Sequence, residues 1–379
     1  MSWLQQTFEI SHHNHKTIHA LEGLRGVAVF LVFLVHYCGQ IMPWLAINSF
    51  SFQTAKFLNE IGNIGVDLFF VLSGYLIYGT LIKKQTGFAK HMRRRARRIY
   101  PTFLVVLAIY LLLSIVLPGE NKFPGGLLNQ IVYLAQNILL LPGIFDIQPI
   151  ITVSWSLSYE LFYYLLIPLV IGVFSLRERN WKMRTLFFLL ISLAGFVYFY
   201  FYSGHVRLLM FLAGIVLFEI STFGKFKMPR FSGLAAFSAA LAATALMFSF
   251  RLSEVWLYLT LYVLFLLFVL ESLSQPKGTA RLLSFTPLRW LGNISYSYYL
   301  IHGLTLKAAF LLLYLVFPPT NANSELLWLL CAPMFAATFV VSALLFVFVE
   351  KPFSLIAPPR PVETVTETRA GVTAVPKTV

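Results

Sequence analysis

Residues 20–39 read ALEGLRGVAVFLVFLVHYCG, where an apolar run from 27 to 35 is bracketed by Arg25 and His36. Eleven positions separate these two residues, and at about 100° per residue both side chains fall on one helix face. They stand about 16 Å apart along the axis, roughly half the hydrocarbon thickness of a bilayer. Ionisable groups in membrane helices usually face a protein interior or a cavity, which favours a functional face. The alternative is that this face has no function, with Arg25 reaching the lipid headgroups and His36 lying in the outer interface.

Composition and hydropathy predict an all-α membrane protein with one bundle of about ten transmembrane helices, spanning residues 20–353. Hydrophobic residues make up 58% of the 379 residues and charged residues only 12%, about half the charged share of a soluble domain. The stretch 127–142 is apolar but short, which favours an interfacial or re-entrant segment over an eleventh span. The ten runs long enough to cross a bilayer are 20–39, 61–82, 99–117, 153–175, 185–202, 206–222, 232–250, 254–273, 291–316 and 326–349.

Polar sequence lies at both ends of this predicted domain. Residues 1–19 contain four histidines, and their composition favours a loosely ordered tail over a metal-binding tract. Residues 354–379 are rich in Pro, Thr and Val, which predicts a disordered C-terminal tail. Cys38 and Cys331 both lie in apolar runs, so we expect neither a disulfide framework nor a metal site.

The distribution of basic residues predicts how the bundle is oriented. With both termini in the cytoplasm, 23 of the 29 lysine and arginine residues fall on the cytoplasmic side, four fall outside and two lie within spans. Cytoplasmic loops of membrane proteins carry such an excess of positive charge. The net charge of +14 therefore reflects membrane orientation and an anionic partner at one face, rather than nucleic acid. The same orientation places Arg25 near the cytoplasmic side and His36 toward the outer side.

The densest basic stretch is RRRARR at 93–98, followed directly by IYP. Such a cluster commonly stops translocation and contacts anionic lipid. Planar guanidinium groups also bind phosphate through two hydrogen bonds, so a phosphate clamp is the second interpretation.

Two carboxylates lie in apolar surroundings at a depth that the helix rise places near His36. Asp67, in GVDLFFVLSGYLI, would either pair with His36 or compensate the dipole of its own helix start. Glu160, in SWSLSYELFYYLLIP, is not explained by the aromatic belt that accounts for its Trp and Tyr neighbours. The stretch ISYSYYLIH at 294–302 places His302 and two tyrosines where they would line a cavity or bond helix to helix.

Together these stretches resemble acyltransferase family three, the bacterial integral-membrane O-acyltransferases. The resemblance is carried, in this order between residues 21 and 353, by LEGLRGVAVFLVFLVHY, GVDLFFVLSGYLI, RRRARRIYP, SWSLSYELFYYLLIP, ISYSYYLIH and VEKPF. It implies a multi-pass protein of the bacterial inner membrane. It also implies transfer of an acyl group, often acetyl, from cytoplasmic acyl-coenzyme A to a hydroxyl of an envelope or exported glycan or a lipid-linked sugar. Acyl-coenzyme A would be a co-substrate rather than a tightly bound cofactor, and a succinyl donor stays open.

The resemblance also assigns roles to individual residues. The Arg–His pattern of the family falls on Arg25 and His36. From their placement we expect His36 to act as general base or transient acyl carrier and Arg25 to hold the donor arm. The family's cytoplasmic RxxR pair, the expected contact for coenzyme A, falls on Arg95 and Arg98. The family's two acidic positions fall on Asp67 and Glu160.

Two points stay open after this assignment. Arg94 and Arg97 also fit the RxxR spacing. A transporter or flippase for a lipid-linked sugar would likewise need intramembrane charge and aromatic residues, and a lipid-binding structural protein is a third class. Consumption of an acyl thioester would distinguish the enzyme from both.

Overall fold

The structure, a computed structural model, forms one helical bundle without β-sheet in the part of the chain that it describes. Ten helical segments within that part are long and apolar enough to cross a membrane, which confirms the predicted all-α architecture. Most of the polar N-terminal stretch and the tail from 356 onward lie outside the described residues. The described ranges are 3–10, 19–116, 122–224, 226–250, 253–274, 276–319 and 323–355.

The helices begin and end close to the predicted runs, with several short helices between them. In chain order they are α1 (Trp3–Phe8), α2 (His19–Ile41), α3 (Phe50–Gly62), α4 (Ile64–Lys83), α5 (Phe88–Val116), α6 (Leu127–Ile138), α7 (Trp155–Val173), α8 (Trp181–Phe201), α9 (Leu209–Phe223), α10 (Ser232–Ser249), α11 (Glu254–Ser274), α12 (Thr279–Leu283), α13 (Thr286–Asn293), α14 (Ser295–Val316) and α15 (Leu326–Leu345). Helix α15 continues without a break into a π-helical segment, Phe346–Leu355.

The helix α1 differs from the loose tail expected at the N-terminus. Phe8 is buried, and its ring lies 5.8 Å from that of Trp290 and 6.3 Å from that of Phe346. The Asn293 amide also donates a hydrogen bond of 3.0 Å to the Phe8 carbonyl oxygen. One aromatic side chain and its backbone therefore dock the short helix on the bundle.

Glycines hold α2 against α12 and α13 and so decide which way its polar residues point. A Cβ atom at Gly23 would lie 1.9 Å from the carbonyl oxygen of Leu283, and one at Gly26 would lie 2.1 Å from that of Leu288. Only glycine permits this approach of two backbones. Because this face of α2 is filled, Arg25 and His36 project from another face, toward the cavities described below.

Glycines also bring α4 and α9 together. A Cβ atom at Gly74 would lie 2.1 Å from the carbonyl oxygen of Phe211, and one at Gly214 would lie 2.0 Å from that of Val71. This contact fixes the rotation of α4 about its axis. Side chains near Gly74 on that face point at α9, whereas Ser73 points into the bundle interior.

The helix α6 is too short to cross a membrane and is not among the ten candidate spans, which confirms that 127–142 does not form an eleventh one. After α6 the chain enters the bundle as an irregular segment, 139–154, before α7 begins. Ile150, Ile151 and Val153 of this segment are buried. The Asn137 side chain accepts a 2.8 Å hydrogen bond from the amide of Ile150 and holds the segment to the end of α6.

Candidate active site

Three cavities follow one another from the end of the bundle that carries 93–98 to the opposite end. The first is a surface recess of about 370 Å³ beside the start of α5. The second, here called the arginine cavity, has a volume of about 170 Å³ and contains Arg25. The third, the histidine cavity, has a volume of about 480 Å³ and contains His36. Arg95 and Arg98 line both the recess and the arginine cavity, so these two cavities adjoin.

Four of the six site residues chosen from the sequence meet in the arginine cavity. They are Arg25 of α2, Arg95 and Arg98 of α5, and Glu160 of α7. The alternative RxxR pair, Arg94 and Arg97, lines only the surface recess. Adjacent positions on a helix point about 100° apart, so a shift of one residue turns a side chain from the interior to the surface.

The two interior arginines of α5 are held by different partners. The Arg95 guanidinium lies 5.0 Å over the centre of the Tyr164 ring. Arg98 forms an ion pair of 2.6 Å with Glu350, a fully buried carboxylate of the π-helical segment. Glu350 also accepts hydrogen bonds from the Ser297 amide at 3.0 Å and from its hydroxyl at 2.6 Å. This carboxylate, which the sequence interpretation left without a role, fixes Arg98 at the start of α14.

The arginine cavity is suited to an anionic ligand. Neither Arg25 nor Arg95 takes part in the ion pairs seen between described residues, which are Arg98–Glu350, Arg184–Glu219, Arg207–Asp67, Arg289–Glu9 and Arg289–Glu22. Glu160 is the single carboxylate among the residues that line the cavity. Guanidinium groups bind phosphate oxygens through two parallel hydrogen bonds. Arg25 and Arg95 therefore offer donors to a phosphate or to a similarly charged group that enters from the recess.

Glu160 lies with the arginines, and the expectation that it shares the depth of His36 is wrong. Its carboxylate accepts hydrogen bonds from the Tyr164 hydroxyl and, at 3.4 Å, from the Ser73 hydroxyl. The helix rise places Glu160 near His36 only if α7 starts at the outer end of the bundle. In the structure the segment 139–154 enters the bundle before α7 starts, so every residue of α7 lies closer to the arginine end.

His36 lines the histidine cavity and faces away from the end that carries 93–98. Its Nδ1 atom lies 3.0 Å from the Val32 carbonyl oxygen and 3.4 Å from Nε2 of His302. The two imidazole rings meet edge to face, with 4.7 Å between their centres. Gln40, one turn further along α2, lines the same cavity. His302 is thus the partner of His36, and the sequence offered only its place in an apolar stretch as a signal.

Tyr299 stands between the arginine and histidine cavities. Its ring lines the arginine cavity, and its hydroxyl donates a 3.2 Å hydrogen bond to the carbonyl oxygen of Val153, which lines the histidine cavity. The Ser156 hydroxyl donates in turn to the Tyr299 hydroxyl at 2.8 Å. These hydrogen bonds lie where the linings of the two cavities come together.

The predicted pair between Asp67 and His36 is wrong. Asp67 is fully buried and lies 3.3 Å from the Arg207 guanidinium, and it lines none of the three cavities. Arg207 also donates a 2.7 Å hydrogen bond to the Tyr258 hydroxyl. The close contact of α4 with α9 turns the Asp67 face of α4 toward Arg207. We therefore assign Asp67 to the packing of the bundle rather than to its chemistry.

Replacing Asp67 with alanine is expected to lower the free energy of unfolding by about 3 kcal/mol, because it leaves Arg207 half-buried without its carboxylate. Binding of an anionic ligand in the arginine cavity should be retained, since neither residue lines that cavity. The measurement is thermal unfolding in detergent. The double variant Asp67→Leu, Arg207→Met removes both charges and should recover part of the lost stability. Lost transfer with an unchanged unfolding temperature in Asp67→Ala would instead place Asp67 in the chemistry.

Comparison with known proteins supports an acyltransferase. The chain is 26% identical to the peptidoglycan O-acetyltransferase OatA of Listeria monocytogenes over 90% of this chain and 56% of that protein. It is 28% identical to the O-acetyltransferase OatA of Staphylococcus aureus over 74% of this chain and 49% of that protein. The chain thus spans about half the length of these two relatives.

A third relative is matched over more of its own length. The exopolysaccharide production protein ExoZ of Rhizobium meliloti is 30% identical over 64% of this chain and 76% of that protein. No solved structure matches. The model of a protein family, described as an acyltransferase domain, matches residues 18–347. With ten helices in its described part that are long and apolar enough to cross a membrane and this match over most of its length, the chain belongs to acyltransferase family three.

Proposed function

We propose that the protein transfers an acyl group, with acetyl as the first candidate, from acyl-coenzyme A to a hydroxyl of an envelope or exported glycan. The named activities of its relatives support this: OatA is a peptidoglycan O-acetyltransferase, and ExoZ is an exopolysaccharide production protein. Membership of an acyltransferase family removes the reason for keeping the transporter and lipid-binding alternatives. The strong bias of basic residues in the sequence supports a bacterial inner-membrane protein with its arginine end in the cytoplasm.

One observation carries the proposal: a cavity with arginines and a cavity with a histidine lie on either side of Tyr299. The donor is a polyphosphate on a long arm, and its acyl group sits at the far end. We place its phosphates at Arg95, where the recess and the arginine cavity adjoin, and its arm beside Arg25. Charged phosphates are too costly to move into hydrocarbon, so only the arm and the acyl group would pass Tyr299 and reach His36, about 16 Å beyond Arg25 along α2.

At His36 the chemistry requires a base and no metal. The acceptor hydroxyl oxygen attacks the thioester carbonyl carbon while His36 takes the hydroxyl proton. The carbon–sulfur bond then breaks, and His36 gives the proton to the departing thiolate, so the products are an acyl ester and free coenzyme A. An acyl-histidine intermediate would use the same atoms in two steps. The acceptor enters from the end of the bundle opposite to the arginines.

Purified protein in proteoliposomes is expected to release coenzyme A thiol in step with acyl ester formed on the glycan. Replacing Arg95 with alanine should weaken donor binding about 10- to 100-fold, because charge-assisted hydrogen bonds to phosphate contribute about 1.5 to 3 kcal/mol. Direct titration with a non-hydrolysable donor analogue measures the affinity, and the thiol assay measures turnover.

The matched control is Arg94→Ala, which removes the same charge one position away on the same helix and lines only the recess. It should lose at most a few-fold in affinity. Equal losses in the two variants would indicate a diffuse electrostatic effect rather than a phosphate site at Arg95. No thioester consumption by the folded wild-type protein, with any acceptor, would refute the proposed function itself.

A further inference from the structure

His302 lies where it could assist the proposed reaction, next to His36, and it has no role in the mechanism described above. It lies fully buried on α14, next to the ring of His36. The Tyr298 ring stacks on it, with 5.3 Å between the ring centres and 13° between the planes. The Tyr298 hydroxyl is itself hydrogen-bonded to the Thr338 hydroxyl at 2.8 Å. The imidazole of His302 is therefore held in one orientation.

The hydrogen-bond partners fix which nitrogen of each ring carries the proton. Nδ1 of His302 lies 2.8 Å from the carbonyl oxygen of Tyr298, and a carbonyl oxygen can only accept. The proton of neutral His302 is therefore on Nδ1, which leaves the lone pair on its Nε2. That lone pair faces Nδ1 of His36 at 3.4 Å, and the Val32 carbonyl oxygen faces the same atom at 3.0 Å. Two acceptors thus converge on Nδ1 of His36.

From this arrangement, and resting on the function proposed above, we infer that His302 is a positioning residue that holds His36 with its proton on Nδ1 and its Nε2 lone pair free for the acceptor hydroxyl. Hydrolytic triads give this task to a carboxylate, which orients the histidine and stabilises its protonated form. Asp67, the carboxylate expected here, is bound to Arg207 instead. A neutral imidazole takes its place, together with the Val32 carbonyl oxygen.

The proton balance follows from these contacts. Nε2 of His36 takes the hydroxyl proton and later returns it to the thiolate, whereas the Nδ1 proton stays in place throughout. During the step His36 is positively charged, and both acceptors then face a charged donor, which strengthens a hydrogen bond. His302 exchanges no proton and touches no substrate, so its effect is on the rate of the chemical step and not on donor binding.

Two amide substitutions separate this role from a packing role. In His302→Gln the longer side chain carries its amide oxygen to the place of Nε2, where it can still accept from His36. In His302→Asn the shorter side chain carries its amide group to the place of Nδ1, so it keeps the bond to Tyr298 and loses the one to His36. We expect His302→Asn to lower kcat about tenfold, the effect of one lost hydrogen bond, with the donor KM unchanged. His302→Gln should retain several-fold more kcat than His302→Asn.

A role in helix packing alone predicts the opposite order, with Asn equal to or better than Gln, and that order would overturn the inference. So would a loss confined to KM. The proton position gives a second readout that needs no turnover: in histidine-¹⁵N-labelled wild-type protein, Nδ1 of neutral His36 should carry the proton. The signal is assigned by its absence in His36→Ala, and a proton on Nε2 would overturn the inference even if neither amide variant folds. Wild-type protein without thioester consumption would refute the proposed function and leave the tautomer measurement to decide this inference.

Discussion

Replacing His36 with alanine is expected to lower acyl transfer by a factor of about 10² to 10⁴, the typical contribution of a general base, and by more if His36 carries the acyl group. The fold should persist, because His36 is half-buried at the wall of a cavity rather than packed in the core. Donor affinity should also persist, because the arginine cavity lies on the other side of Tyr299. Turnover, thermal unfolding and donor titration on the same preparation separate the three properties.

The control for His36 lies one helical turn away. Gln40→Ala removes a polar side chain from the same wall of the histidine cavity and should leave kcat within a few-fold of the wild-type value. If His36→Ala is equally mild, then His36 is an interfacial residue and the base must be sought elsewhere. A parallel loss of donor affinity in His36→Ala would mean that the two cavities do not separate donor binding from chemistry.

Replacing Glu160 with glutamine is expected to lower transfer by a factor of about 10². Glutamine keeps the shape and can still accept from Tyr164, so the substitution removes mainly the negative charge. Glu160 is the single carboxylate among the residues that line the arginine cavity. Its partner Tyr164 supports the Arg95 guanidinium. Without this charge, no carboxylate among the cavity-lining residues balances the arginines. The electrostatic environment along the proposed path of the donor arm then changes, and losing one preorganised electrostatic interaction typically costs a factor of about 10² to 10³.

Ser73→Ala is the matched control for Glu160. It removes a 3.4 Å hydrogen bond to the same carboxylate and keeps the charge, so activity should stay within a few-fold of wild type. Comparing kcat with the donor KM in Glu160→Gln shows whether the charge acts on binding or on a later step. Activity near the wild-type level in Glu160→Gln would mean that the carboxylate only holds Tyr164.

Local patterns in the sequence were enough to predict the bundle and one face of its first long helix. Apolar runs of about twenty residues gave all ten candidate spans, and the eleven-residue spacing placed Arg25 and His36 on a face that lines cavities. The choice between Arg95 and Arg94 stayed open in the sequence, and the structure makes it by turning Arg95 into the arginine cavity and Arg94 only into the recess. The apolar runs do not predict helix α3, because its residues, 50–62, are only moderately apolar.

The spacing of residues in the sequence does not show which partners the site residues contact, because those contacts depend on tertiary structure. Depth counted along one helix placed Asp67, Glu160 and His36 together. The rotation of α4 against α9 sends Asp67 to Arg207, and the entry of 139–154 into the bundle shifts Glu160 toward the arginines. His302 and Glu350 meet their partners across more than 200 residues of sequence.

In the proposed mechanism, donor and acceptor bind at opposite ends of the bundle, and only the donor arm with its acyl group passes Tyr299. Membrane vesicles of defined orientation, carrying the protein and a glycan acceptor confined to one side, test it directly. Acetyl-coenzyme A supplied at the face with residues 93–98 should acylate a glycan held at the other face, with coenzyme A thiol released on the donor side. Donor supplied on the glycan side alone should give no product. If modification instead requires donor and acceptor on the same face, the passage through the bundle is wrong.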